Sequence, residues 1–261
     1  MKQYQDIHFE RRGDEQEIAV IRLTRPAKRN ALNDGLILAI RDLFENMPEG
    51  VRAAVIDGDG EHFCAGLDLS ELKERDAGQG LHHSRMWHAA LEYVQYGPVP
   101  VIAALHGAVV GGGLELASAC HIRVADESTF YALPEGSRGI FVGGGGAVRI
   151  PRLIGAARMT DMMLTGRVYN AQEGEKVGFA QYLVPQGTAF DKAYELATRV
   201  AQNAPLTNYA LIHALPRIAE QPADQGFLTE AMMAAIAQSA PEAKARVRAF
   251  LDGKAAKVSK D

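Results

Sequence analysis

Three glycines run straight into a helical pattern that carries a glutamate, Gly111-Gly112-Gly113-Leu114-Glu115, and a second glutamate stands in Leu133-Pro134-Glu135. The first backbone N–H groups of a helix have no partner inside it, so they can bind developing negative charge. Glycine lets a substrate approach that backbone to hydrogen-bond distance. The passage between the glutamates, residues 121–131, has a strand-like pattern, which can bring Glu135 back to face Glu115 across one cleft. Two carboxyls beside an oxyanion-binding backbone suit acid–base chemistry next to a carbonyl.

Each feature taken alone has a plainer reading. An isolated glutamate in a first helical turn complements the helix dipole, worth about 0.3–1 kcal/mol. The glycine triplet, which follows the apolar run 99–105, also half-matches a dinucleotide-binding fingerprint. Leu116 occupies the place of the third glycine, however, and no acidic residue closes a second strand at the spacing a ribose contact requires. Only the combination carries the acid–base reading.

Short apolar runs alternate with helical ones around these residues. Residues 17–23 and 53–56 read as strands, the second ending in the turn Asp57-Gly58-Asp59-Gly60. Apolar spacing at Leu36, Ile37, Ile40, Leu43 and Phe44 predicts a helix over 34–44 capped by Asn33. A second helix is expected over 81–96 and a strand over 99–105. Strand, helix, strand, helix in that order implies an α/β core. The charged stretch 69–80 reads as a mobile lid or loop.

From residue 193 the pattern turns Ala-rich and helical, over 193–202, 206–218 and 227–237. A last helix is expected over Pro241–Leu251, with Ser239 and Pro241 as start signals and Gly253 as its end. The division expected on these grounds is a core over 1–192 and a helical region over 193–261. The apolar faces of that region must bury against the core or against another subunit, and the tail from Lys254 is expected to fray.

The chain has 261 residues, 47% hydrophobic and 23% charged, with a formal net charge of −4. Mild acidity argues against a nucleic-acid surface, which shows as a basic face or stripe. No run approaches the ~18 apolar residues of a membrane span, and the polar N-terminus lacks a signal-peptide core. Cys64 and Cys120, among apolar neighbours, read as reduced core thiols of a cytoplasmic protein. Neither has a histidine at zinc-like spacing, so no metal is expected.

The motifs in their order resemble the crotonase superfamily, the enoyl-CoA hydratases and isomerases, over nearly the whole chain. The matching blocks are Arg25-Pro26-Ala27-Lys28-Arg29-Asn30-Ala31-Leu32, Phe63-Cys64-Ala65-Gly66-Leu67-Asp68-Leu69, the stretch from Gly107 to Glu115, and Pro134-Glu135. Gly143 to Gly146, leading to Arg152-Leu153-Ile154-Gly155, completes them. The resemblance implies a spiral of ββα units with a C-terminal helical region that makes trimers or dimers of trimers. It implies Glu115 and Glu135 as the glutamates of a hydratase, and the N–H groups of Leu67 and Gly112 as an oxyanion hole for a thioester carbonyl. Lys28, Ala65, Asp68, Leu69 and Ser70 match positions that hold coenzyme A, which enters as part of the substrate, with no separate cofactor.

Adding water to a conjugated thioester needs oxygen attack at Cβ, a proton at Cα and a stabilised enolate. Glu115 would activate the water and Glu135 supply the proton. The run from Leu133 to Gly146 is similar to methylthioacryloyl-CoA hydratases, which act in dimethylsulfoniopropionate degradation and couple hydration to thioester hydrolysis. An ordinary short-chain enoyl-CoA hydratase is the alternative. A non-catalytic or RNA-binding crotonase-like protein fits less well, because both glutamates are present and the charge is negative. His121, where the family carries Asp, reads as a structural histidine, and Val142 stands where a proline is typical.

Overall fold

The computed structural model describes residues 4–71 and 74–254. Residues 72 and 73 of the expected loop, and all but Lys254 of the tail expected to fray, lie outside the described residues.

The strands are β1 (Ile7–Arg12), β2 (Ile18–Leu23), β3 (Ala53–Gly58), β4 (Val101–Leu105), β5 (Ala108–Val110), β6 (Ile122–Asp126), β7 (Phe130–Ala132), β8 (Tyr169–Asn170) and β9 (Tyr182–Val184). They make two sheets, one in the order β1-β2-β3-β4-β6-β9 and one in the order β5-β7-β8. In the larger sheet β1 and β2 are antiparallel and every later pairing is parallel. β3 and β4 are buried along their whole length, as strands covered on both faces must be. The two-residue period sorts their side chains. Ala54, Ile56, Ala103 and Leu105 enter one apolar cluster, while Ala53, Val55, Ile102 and Ala104 enter another on the opposite face.

The helices up to Ala201 are α1 (Asp34–Glu45), α2 (Ala77–Gln95), α3 (Gly112–Ala119), α4 (Gly146–Ile154), α5 (Ala156–Thr165), α6 (Ala171–Val177) and α7 (Ala189–Ala201). α1 starts where the sequence places its cap, with the Asn33 side chain accepting the Leu36 N–H at 2.7 Å. α2 starts earlier than its apolar spacing suggests. Asp76 and Gln79 close a reciprocal capping box there, and polar caps leave no trace in a hydrophobic period.

The chain passes from β4 in one sheet to β5 in the other and then into α3. It repeats the step through β6 and β7 and reaches α4 after a short 3-10 turn, Gly136–Arg138. This is the ββα repeat that the resemblance implies. The repeat carries the end of each strand pair to the start of the next helix, and both glutamates sit at such junctions.

The chain forms two compact units that divide between Ala201 and Gln202. The division expected after residue 192 falls inside α7, whose Ala189, Ala193, Leu196, Ala197 and Ala201 pack on the sheet cluster of Val55, Ile102 and Val124. An Ala-rich face reads alike whether it caps a sheet or meets another helix, so its composition did not mark the boundary.

The second unit contains α8 (Pro205–Tyr209), α9 (Leu215–Ile218), α10 (Ala223–Ser239) and α11 (Pro241–Leu251). The helix expected over 206–218 is interrupted by a π-helical turn, Ala210–Ala214. Pro216 offers no N–H, and its ring would clash with the carbonyl four residues back, so the regular ladder cannot continue there. Pro241 opens α11 as expected, whereas Ser239 closes α10, its hydroxyl donating to the Ile236 carbonyl at 2.7 Å. No described helix is long and apolar enough to cross a membrane.

Candidate functional site

α3 begins at a kink that only glycine adopts easily. Gly111 has φ +51° and ψ −121°, and a Cβ there would stand 2.7 Å from Glu135 Oε1. The glycine therefore supplies both the turn and the room for the second carboxyl. Its N–H donates to the Ala132 carbonyl at the end of β7, and its carbonyl accepts the Glu115 N–H. These two bonds tie the helix start to the strand that leads to Glu135.

Every residue of α3 is buried, and Glu115 is only 4% exposed. Its Oε1 accepts two backbone hydrogen bonds, from Gly144 N and Gly146 N, both at 2.8 Å. Glu135 is buried as well, and its Oε2 has no hydrogen-bond partner among the described residues. The two carboxyls line one cavity of about 510 Å³.

Burial pushes the Glu115 carboxyl up to about 7, and negative charge on Glu135 adds to the rise. The Gly146 and Gly144 amides and the Arg149 guanidinium oppose it. Burial raises Glu135 too, against a hydrogen bond from its own backbone N–H and the charge of Arg138. Charge on either carboxyl disfavours charge on the other across the cavity. Once Glu115 is ionised, the two amides and Arg149 steady its charge. The partnerless Oε2 of Glu135 favours the proton there.

Leu67 and Gly112 also line this cavity. Leu67 pairs with Leu32 as an isolated bridge, in which Leu32 N donates to Gly66 O and Asp68 N to Leu32 O. That pairing uses the groups on either side of Leu67 and turns its own N–H the other way. Gly112 is the first residue of α3, and the helical ladder opens only with Glu115 N, so the helix offers the Gly112 N–H no acceptor. A Cβ on Gly112 would stand 3.6 Å from Leu67 N. Leu67 and Gly112 therefore lie side by side at one wall of the cavity.

The expected coenzyme A residues gather beside this wall without lining the cavity. Lys28 Nζ lies 3.5 Å from Asp68 Oδ1 and 3.4 Å from Ser70 Oγ. Asp68 is buried and also pairs with Arg25 at 2.8 Å. The Ser70 hydroxyl and the Arg25 guanidinium hold its carboxyl well below the usual carboxylate range. That side chain is committed to the protein, so it shapes the ledge from within. Leu69 and the Lys28 side chain are exposed, and Ala65 is fixed by its N–H to the Arg29 carbonyl at 2.9 Å.

Sequence reasoning missed the α2 wall. His83, Ser84 and Trp87 line the cavity together with Ile140, Phe141 and Val142. Trp87 Nε1 and His83 Nε2 both contact Asp34 Oδ1, at 3.1 and 2.7 Å. The spacing of Gly80, His83, Ser84 and Trp87 on one helical face is a usable signal, though a weak one. His121 is structural as expected. Its Nδ1 accepts the Val101 N–H and its Nε2 meets the Gln95 carbonyl, each at 2.9 Å. Cys64 and Cys120 are free and buried. A second cavity of about 530 Å³ lies at the ends of the parallel strands. There Asp57 is already paired with Arg22 at 3.0 Å and with His106 at 3.7 Å.

A ββα spiral whose cavity is lined by two carboxyls and by Leu67 and Gly112 defines a crotonase-type protein. The chain belongs to the enoyl-CoA hydratase/isomerase family, whose model matches residues 13–259. It is 62% identical to a protein from Rhodopseudomonas palustris provisionally assigned as an enoyl-CoA hydratase. The crystal structure of that protein superposes with a TM-score of 0.92 over 97% of each chain. Enoyl-CoA hydratase EchA19 of Mycobacterium tuberculosis is 30% identical over 96% of this chain and 95% of its own length. The 2,3-dehydroadipyl-CoA hydratase of Escherichia coli is 30% identical over 91% and 93%.

Proposed function

We propose that this protein is a hydro-lyase that adds water across an α,β-unsaturated coenzyme A thioester. The observation that carries the reading is the meeting of Glu115, Glu135 and the Leu67 and Gly112 amides on one cavity. The thioester oxygen lies between the two amides, which take up enolate charge as it forms. Glu115, ionised and steadied by its two amide donors, holds the water and removes its proton as the oxygen attacks Cβ. Glu135 delivers its proton to Cα. The reverse sequence dehydrates the hydroxyacyl product.

Coenzyme A arrives as part of the substrate, and the ledge of Lys28, Ala65, Asp68, Leu69 and Ser70 holds it, with no further cofactor. The exposed Phe227, Leu228 and Met232 of α10 support a homotrimer or a dimer of trimers, since cyclic closure is a common way to cover such faces. Light scattering would then read three or six chains, and a monomer at micromolar concentration would overturn that assembly. The two free buried thiols fit a reducing compartment, the cytoplasm.

The finer reading is 3-(methylthio)acryloyl-CoA as substrate, with thioester hydrolysis after hydration. It is supported by the similarity of the run from Leu133 to Gly146, which supplies both Glu135 and the amides on Glu115. A short-chain enoyl-CoA hydratase of fatty-acid or amino-acid breakdown is the simpler form of the same chemistry. The test is loss of the conjugated absorbance of crotonyl-CoA on addition of purified protein. No turnover of crotonyl-CoA or of the methylthio analogue would sink the hydratase reading.

A further inference from the structure

Gly143 to Gly146 carry no side chains, so nothing intrinsic fixes which way their peptides face. Two other residues do. Ser84 Oγ of α2 donates to the Gly143 carbonyl at 2.6 Å, and Arg149 Nη1 of α4 donates to the Gly144 carbonyl at 3.0 Å. In a trans peptide the carbonyl and the following N–H point in opposite directions. The peptide from Gly143 to Gly144 therefore has Ser84 on its oxygen side and Glu115 on its nitrogen side, where Gly144 N lies 2.8 Å from Oε1. Turning that peptide over would present a carbonyl oxygen to a carboxylate.

Ser84 is itself supported. Its oxygen lies 3.3 Å from His88 Nε2. Because its single proton goes to Gly143, it accepts from the ring there. Arg149 is 7% exposed and is anchored by Nε to Gln95 Oε1 at 2.6 Å. Both supports come from helices that flank the glycine run, not from the run itself.

We propose that Ser84 is a positioning residue that acts through the Gly143–Gly144 peptide to hold an amide donor on Glu115, with Arg149 fixing the next peptide. The proposal rests on the reading of Glu115 as an acid–base group. The charged and titratable groups that face Glu115 are Glu135 after β7 and Arg149 of α4, with His88 of α2 one step removed, through Ser84 and through its own hydrogen bond to the Gly143 backbone. Removing the Ser84 hydroxyl leaves all of them in place. It lets the peptide rock, so the Gly144 donor is lost for part of the time. An amide donor favours the ionised carboxylate, so its loss moves the Glu115 titration upward.

The experiment follows the Glu115 carboxyl carbon by NMR in ¹³C-glutamate-labelled protein, with Glu115→Gln assigning the resonance. Ser84→Ala is expected to move its midpoint upward by about half a pH unit to one unit, and Ser84→Thr, which keeps the hydroxyl, to restore it. With crotonyl-CoA, Ser84→Ala is expected to lower kcat on the order of tenfold with KM unchanged. The acidic limb of its kcat/KM profile should move up with the NMR midpoint.

An unmoved midpoint in folded Ser84→Ala would overturn the proposal. So would a Ser84→Thr variant that behaves like Ser84→Ala, because the effect would then come from packing. If Ser84→Ala does not fold, Ser84→Cys, similar in size and a weak donor, takes its place with the same expected shift. The titration needs no turnover. A shifted midpoint in a protein that hydrates no enoyl-CoA would overturn the hydratase reading and uphold the link from Ser84 to Glu115.

Discussion

Glu115 and Glu135 face the same cavity and are held in opposite ways. Glu115 Oε1 receives two amide hydrogen bonds, while Glu135 Oε2 receives none from the described residues. The sequence makes the two side chains identical, and the backbone around them makes them different. A carboxyl that backbone donors support is suited to carry charge. One with a buried oxygen left without a partner among the described residues is suited to carry the proton. An acid and a base thus arise from one residue type through the backbone each one meets.

Both should be required for turnover. Glu115→Gln and Glu135→Gln are each expected to lower kcat for enoyl-CoA hydration by about 10²–10⁴, with acyl-CoA binding retained. The double variant should lose little more than the worse single one, since the carboxyls act as a unit. Steady-state kinetics beside a binding titration reads both. Near-normal kcat in either single variant would remove that glutamate from the mechanism.

Burying Glu115 also leaves a mark on stability. In the unfolded chain its carboxyl ionises near 4.5, and in the folded protein near 7. The folded state therefore keeps a proton that the unfolded chain has released. On this account stability falls as pH rises from about 4.5 to about 7 and levels off beyond. Glu115→Gln removes the titration while its side-chain carbonyl still accepts both amides. Its melting temperature should gain on the wild type across that window, by the equivalent of at most about 3 kcal/mol. A gap in Tm that stays constant between pH 5 and pH 8 would contradict the raised pKa.

How much of this was legible depended on range along the chain. The α1 cap at Asn33, the glycine start of α3 and the return of Glu135 all follow from residues near one another in sequence. Ser84, Trp87 and Arg149 did not stand out. A serine and a tryptophan in an amphipathic helix read as surface and core, and Arg149 reads as one basic residue beside Arg152. Their roles exist only because the spiral lays α2 and the start of α4 against α3. The helix α7 shows the same limit, since an Ala-rich face does not say whether it will meet a sheet or a helix.

The Gly112 amide can be removed with little insult to the helix. Gly112 is the first residue of α3, a position where proline is well tolerated because the N–H has no helical partner. Gly112→Pro is expected to lower kcat by about 10²–10³ through loss of one oxyanion donor, with a melting curve screening for intact fold. Leu67→Ala keeps its N–H and should be much milder. Equal, severe losses from both in folded protein would mean that Leu67 acts through its side chain.

The methylthio substrate separates hydration from thioester cleavage. Water added at its sulfur-bearing carbon gives a hemithioacetal, which expels methanethiol and leaves an aldehyde thioester. A carboxylate can then attack the thioester carbonyl. The bond to sulfur breaks, coenzyme A leaves as the thiolate and takes a proton, and water hydrolyses the acyl-enzyme anhydride. On the proposed reading Glu115 would make that attack in its ionised form, which its amide donors steady. Crotonyl-CoA has no sulfur to expel, so it should be hydrated reversibly with little free thiol. Methylthioacryloyl-CoA should release methanethiol and then coenzyme A. A thiol reagent, with methanethiol measured separately in the headspace, follows both. Hydration of crotonyl-CoA with no coenzyme A released from the methylthio substrate would leave a plain hydratase and remove the hydrolytic step. Release of coenzyme A at equal rates from both would show that cleavage does not depend on the sulfur.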